Sequence, residues 1–208
     1  MRIAGKRTAK QWLSLRRMLK SNPSPRLWKF AFDKYHLARI ETRYLEPIAS
    51  IQKHDKETGA GFAIVALFCT LIEFLESCER GHNFCPPGTP LKPKRYSYGP
   101  GKAGRYFKRF LRNREPFRTL IPRYLAESFY ADVRCGLLHE ARTKGSWTVS
   151  ARYSSGAIVG GKPGKRIIYR NQLVPALRVY LNDYRSRLVK DEKTQKAFIR
   201  KWNHLAKA

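Results

Sequence analysis

Arg134 and His139 stand five positions apart in the segment Arg134-Cys135-Gly136-Leu137-Leu138-His139. An imidazole moves a proton near neutral pH, as base or as acid. A guanidinium offers a planar fork of donors to phosphoryl oxygens and the charge that develops on them. The pair suits a reaction at a phosphodiester that needs no metal ion. The spacing alone has little specificity in so arginine-rich a chain. Structural readings of the same residues stand beside the chemical one: His139 as the cap of a helix end, and Arg134 as the ion-pair partner of Glu73 or Asp132. Glu73 lies deep in an apolar helical segment, where a carboxylate needs a cation. Tyr130 falls one helical turn before Arg134. Arg142 and Lys144 follow His139 and read either as phosphate contacts or as a basic helix end. Residues five apart on an α-helix lie about 140° apart around its axis. Arg134 and His139 therefore meet one phosphate only if the helix ends or bends near Gly136, or if a second chain completes the site.

Other chemistries find less support. No HExxH, GxSxG or paired-carboxylate signature is present, and 15 acidic residues weigh against nuclease sites built from several carboxylates and metals. Cys69, Cys78, Cys85 and Cys135 are irregularly spaced, and Cys78, His82 and Cys85 lack the paired CxxC of a zinc site. No metal or cofactor is expected. Gly99, Gly101 and Gly104 match GxGxxG, but in a Pro-rich loop rather than a strand–helix turn. Gly156, Gly161 and Lys162 nearly match a phosphate loop, with Pro163 where Ser or Thr would hold magnesium; a glycine-rich hairpin tip is the expectation there.

The elements that must position these residues read as mainly helical. Residues 8–20 form a short basic helix stopped at Ser21-Asn22-Pro23-Ser24-Pro25. A second helix starts at Pro25 with Ser24 as its N-cap, carries Trp28, Phe32, Tyr35 and Ile40 at helical spacing, and is expected to kink or break at Pro47. After a connector at 55–61, residues 61–81 form a buried helix ended by Gly81. The Gly/Pro-rich stretch 85–104 is expected as a loop, long enough to be functional or mobile. Helices resume at 105–114, with Phe107, Phe110 and Leu111 on one side, and from Pro122 through the Arg134–His139 segment. SWTVSARY at 146–153 and KRIIYR at 165–170 alternate like strands around turn residues, which predicts a hairpin. Helices at 171–189 and 192–205 close the chain. This divides it into a basic N-terminal extension (1–23), a helical bundle (24–145) and a hairpin with two helices (146–208).

The surroundings are strongly basic. Lys and Arg number 43 against 15 Asp and Glu, a formal charge of +28. The excess is concentrated in 1–50 and 101–208, with 51–100 near neutral, as a buried core inside a basic surface would be. With 42% apolar and 12% aromatic residues the chain has the material for a core, which excludes a disordered polycation. A polyanion partner is expected, most simply nucleic acid; no helix-turn-helix pattern favours DNA. The longest apolar run, residues 62–72, is shorter than the ~18–20 residues of a membrane span, so no membrane partner is expected. The N-terminus lacks an apolar signal core, and cysteine usage suits reduced thiols; the expected location is cytoplasmic.

In this context the segment FYADVRCGLLHEARTKGSW, residues 129–147, resembles the HEPN superfamily (higher eukaryotes and prokaryotes nucleotide-binding), in particular uncharacterised bacterial HEPN-like proteins with an FY-x-x-VRCGLLHEA-x-T-K-x-x-W segment. The apolar helix holding IEFLES supports the resemblance more weakly, and the order of elements follows over about 25–205. The resemblance implies a bundle of four or five helices, here with a small β-hairpin and two C-terminal helices. It implies a homodimer and a metal-independent endoribonuclease with Arg134 and His139 as the catalytic pair. By their positions around that pair, Tyr130, Arg142 and Lys144 are then expected toward RNA, and Glu73 and Asp132 as supporting ion-pair partners. The expected products are a 2′,3′-cyclic phosphate and a 5′-hydroxyl. Toxin–antitoxin systems, with a neutralising antitoxin partner, and phage defence are the implied settings. A non-catalytic RNA-binding or interaction module of the same fold is the alternative. The family often has a polar residue after the arginine; this chain has Cys135.

Overall fold

The computed structural model describes residues 2–54, 59–90, 93–152 and 156–207. Residues 55–58 of the expected connector, Leu91 and Lys92 of the 85–104 stretch, and Tyr153, Ser154 and Ser155 at the expected hairpin lie outside the described residues.

The backbone is mainly helical. A short antiparallel pair, β1 (Arg2–Ala4) and β2 (Arg7–Thr8), leads into α1 (Ala9–Ser21). The Thr8 side chain accepts from Gln11 N while the Gln11 side chain accepts from Thr8 N, a capping box. Ser24 accepts from Leu27 N at 3.2 Å, and Pro25 opens α2 (Pro25–Ala31). Helical backbone continues through a π-helical stretch (Phe32–Leu37), α3 (Ala38–Ile40), a second π-helical stretch (Glu41–Leu45) and α4 (Glu46–Lys53). Pro47 therefore does not break the helix. It sits in the first turn of α4, directly after a turn widened so that Glu46 N donates to Glu41 O, five residues back. The widening relieves the clash of the proline ring with the preceding turn.

α5 (Ala60–Arg80) ends where Gly81 takes φ 60°. Its 21 residues are long and apolar enough to cross a bilayer, but 61% of its most apolar window is buried inside the protein, so packing accounts for that hydropathy. The 85–104 stretch is less bare than expected. Within it, β4 (Ser97–Tyr98) pairs parallel with β3 (Asn83–Phe84). Then follow α6 (Ala103–Asn113), α7 (Phe117–Leu120), α8 (Ala126–Ser128), a third π-helical stretch (Phe129–Arg134) and α9 (Cys135–Glu140).

A three-stranded sheet replaces the expected hairpin. β5 (Trp147–Ser150), β6 (Val159–Lys162) and β7 (Lys165–Tyr169) lie in the order β5-β7-β6, with β5 parallel and β6 antiparallel to β7. The two strands recognised by alternation are real, but the hairpin is β6–β7. The glycines of β6 hid it. A Cβ at Gly160 would stand 2.6 Å from the Tyr169 ring, and Gly161 has φ 82°, so bare backbone is what this strand requires. The chain ends with α10 (Leu173–Lys190) and α11 (Glu192–Leu205), the latter capped by Asp191, which accepts from Thr194 N at 2.9 Å.

Two compact units result, cut elsewhere than at 23 and 145. One comprises 1–46, 75–103 and 181–208; the other comprises 47–74 and 104–180. In the first, Trp12 packs on Tyr35, Phe198 and Trp202 at ring separations of 5.3, 6.0 and 5.9 Å. Its indole donates to Asn203 Oδ1 at 3.0 Å. The basic segment 1–23 thus contributes Trp12, Leu15 and Leu19 to this unit's core. The second unit is built on Phe68, Phe107, Phe110, Phe117, Phe129 and Tyr180, all buried, with Phe110 4.9 Å from Tyr180.

Candidate functional site

Every residue singled out for chemistry belongs to the second unit. Phe129, Val133 and Leu137 are buried and anchor their helix. Across the π-helical stretch Cys135 N donates to Tyr130 O, five residues back. Such a wide turn is a feature often found at functional sites.

Arg134 closes that stretch, and its Nη2 lies 3.7 Å from Glu73 Oε2 of α5, both side chains about one-fifth exposed. Of the two carboxylates considered from sequence, Glu73 is the one that pairs. Asp132 contributes its backbone carbonyl, which accepts from Lys144 N at 2.8 Å. At 3.7 Å the Arg134–Glu73 contact is an ion pair without a hydrogen bond. The Arg134 guanidinium also lies 5.5 Å from the centre of the Tyr130 ring. Lys108 Nζ of α6 is 5.7 Å from the same ring, and Phe107 packs on it at 5.5 Å. One tyrosine thus meets two cations.

Gly104 makes room for this ring. A Cβ there would stand 2.6 Å from Tyr130 Cζ. Partial burial pushes the Tyr130 phenol above its ordinary pKa despite the opposing Arg134 charge, and its side chain hydrogen-bonds Cys135. Beside them Cys69 is buried and its thiol is pushed up by desolvation. Lys108 and Gly104 were not among the residues the sequence suggested. Lys108 is further held by Glu127, which also takes Arg112 at 2.8 Å.

His139 is exposed in the last turn of α9. Helical backbone runs from Arg134 through Gly136 and ends at Glu140, so the helix does not stop at Gly136, and α-helical geometry sets the two residues ~140° apart around its axis. On a regular helix that angle directs Arg134 and His139 to different sides. Gly136 has a different task. After Glu140 the chain reverses through Ala141 at φ 54°, and Arg142 N returns to Gly136 O at 3.4 Å. A Cβ on Gly136 would stand 2.5 Å from Arg142 O. The turn delivers Arg142 and Lys144 to Glu140, at 3.2 and 2.6 Å. Their hydrogen bonds, Lys144 first, hold the Glu140 carboxyl below its ordinary pKa. The two residues expected toward RNA thus also pair with one surface carboxylate, and Glu140 is a member of the cluster the sequence did not single out.

Among the described residues, no group of three His, Cys, Asp or Glu side chains is placed to hold a metal. The cysteines are all free thiols. Chemically, the site offers a guanidinium oriented by a carboxylate and an aromatic ring, and an accessible imidazole on another side of the same helix. No family model, curated protein or solved structure matches the chain.

Proposed function

We propose that the protein is a metal-independent endoribonuclease with a HEPN-like helical bundle, acting as a homodimer. The observation that carries this reading is Arg134, oriented by Glu73 and Tyr130, on the same helix as the exposed His139. In the proposed reaction His139 takes the proton of an RNA 2′-hydroxyl, whose oxygen attacks the adjacent phosphorus; the bond from phosphorus to the 5′-oxygen breaks, and water protonates that oxygen to give the 5′-hydroxyl. Arg134 stabilises the charge on the non-bridging oxygens. The ~140° between the two residues is met by pairing Arg134 of one chain with His139 of another. The +28 charge supports an RNA partner through counterion release.

The test uses mixed RNAs in EDTA. Wild-type protein is expected to leave 2′,3′-cyclic phosphate and 5′-hydroxyl ends, and Arg134→Ala and His139→Ala are each expected to abolish cleavage. Mixing the two variants is expected to restore part of the activity, because one composite site per mixed dimer keeps both residues. Cleavage that survives both substitutions overturns the assignment, and a strictly monomeric active species overturns the composite site. The second reading, an RNA-binding module without catalysis, is favoured by the ion pair that occupies Arg134. Tight, salt-sensitive binding without cleavage would select it.

A further inference from the structure

The first unit carries a cluster of cations and aromatic rings that the proposed reaction does not use. It is built where α5 ends. Gly81 has φ 60°, and a Cβ there would stand 2.6 Å from Ala197 O and 2.9 Å from Arg200 Nε, so glycine lets α11 approach the end of α5. Arg200 Nη2 then donates to Arg80 O at 3.1 Å and Lys201 Nζ to His82 O at 3.0 Å. These bonds satisfy carbonyls around the end of the helix, which accounts for Lys201.

They do not account for the other side of Arg200, whose guanidinium lies 4.3 Å from the centre of the Tyr96 ring. Arg95, exposed, approaches the same ring at 5.4 Å, and the His82 ring stands edge-on to it at 5.9 Å. The parallel ribbon of β3 and β4 follows directly in both stretches of chain. Phe84 pairs in register with Tyr98, rings 5.6 Å apart, and is itself 40% exposed. Phe84 lies two residues beyond His82, and Tyr98 two beyond Tyr96, so the ring pairs His82–Tyr96 and Phe84–Tyr98 are neighbours along the chain. Partial burial first, and then the charges of Arg80, Arg200 and Lys201, push the His82 imidazole down to about 4.

A flat cation laid on a tyrosine, beside an exposed phenylalanine, is what unpaired bases stack on, while clustered arginines hold the linking phosphates. A duplex hides its base faces and cannot use such a surface. We infer that Tyr96, Arg200, Arg95 and Phe84 form a stacking platform for single-stranded RNA, separate from the Arg134 cluster. This rests on the reading of the protein as RNA-directed and deepens it by naming unpaired RNA as the form bound. It also gives the basic, tyrosine-bearing stretch 85–104 a task.

The test is fluorescence anisotropy with a labelled single-stranded 2′-O-methyl RNA, which cannot be cleaved through its 2′-position. The same strand in a duplex and inorganic polyphosphate serve as competitors. Wild type is expected to bind the single strand in preference to the duplex. Tyr96→Ala and Phe84→Ala are each expected to weaken single-strand binding about tenfold while leaving polyphosphate binding nearly unchanged, since polyphosphate has no bases. Tyr96→Phe is expected to keep affinity, and Arg200→Lys, which keeps the charge but not the plane, is expected to lose it. Arg200→Lys carries the test if Tyr96→Ala melts early. Variants that bind the single strand as wild type does overturn the platform and leave the RNA reading standing, and so does a preference for the duplex. A wild-type protein that binds no RNA at low salt overturns the RNA reading itself, and the platform with it.

Discussion

His36 is fully buried in the first unit, its ring 5.4 Å from Phe32 and 4.9 Å from Tyr184. Burial, helped by the Arg39 charge, pushes its pKa down to about 3. The folded chain therefore keeps this imidazole neutral where the unfolded chain protonates it. Its contribution is complete above pH 6.5 and is lost as pH falls toward 3, by about 3 kcal/mol between pH 6.5 and 4. Urea unfolding at pH 7 and pH 4 is expected to show that His36→Phe loses less stability on acidification than wild type; parallel losses would sink the argument. At this scale the sequence was informative about needs rather than partners. That a carboxylate in an apolar helix needs a cation could be read from Glu73, and the 140° divergence of Arg134 and His139 followed from helix geometry alone. Lys108 and Gly104 against Tyr130 could not be read, because those contacts join residues more than twenty positions apart through a packing no local pattern encodes.

Among the elements, helices announced themselves through caps and apolar spacing, with Ser24 and Gly81 at or beside their ends; Thr8 and Asp191 proved to be caps only in the fold. Where bare backbone carries the design, pattern failed. β6 has glycines where a strand normally shows side chains, and its pairing with β7 surfaced only in the fold. At Pro47 the break that a proline can cause did not occur, because a widened turn lies just before it. Gly136 tests the same principle in α9. Its Cβ would press on a backbone oxygen that cannot swing away, so Gly136→Ala is expected to lower the unfolding free energy by about 1–3 kcal/mol, seen as a lower urea midpoint with an unchanged slope. Gly101→Ala, where a Cβ meets nothing within 4 Å, serves as the neutral control. Equal midpoints for the two variants would mean that the 141–144 turn yields easily.

For the whole molecule, 43 cations against 15 anions mean that self-repulsion outweighs the ion pairs. Raising sodium chloride from 0.05 to 0.5 M is expected to raise the thermal midpoint, because screening shortens the reach of that repulsion. A midpoint that falls would show that pairs such as Arg187 with Glu79, at 2.6 Å, dominate instead. Charge was legible from composition and a mainly helical class from apolar spacing; the division into units was not, because each unit gathers stretches far apart in the chain. That interleaving bears on the order in which the protein can be made. Trp12 leaves the ribosome long before the rings it packs against, Phe198 and Trp202, which follow it by 186 and 190 positions. The buried face of α1 therefore stays uncovered until α11 has been made. Until then the exposed indole is a surface for a chaperone to hold.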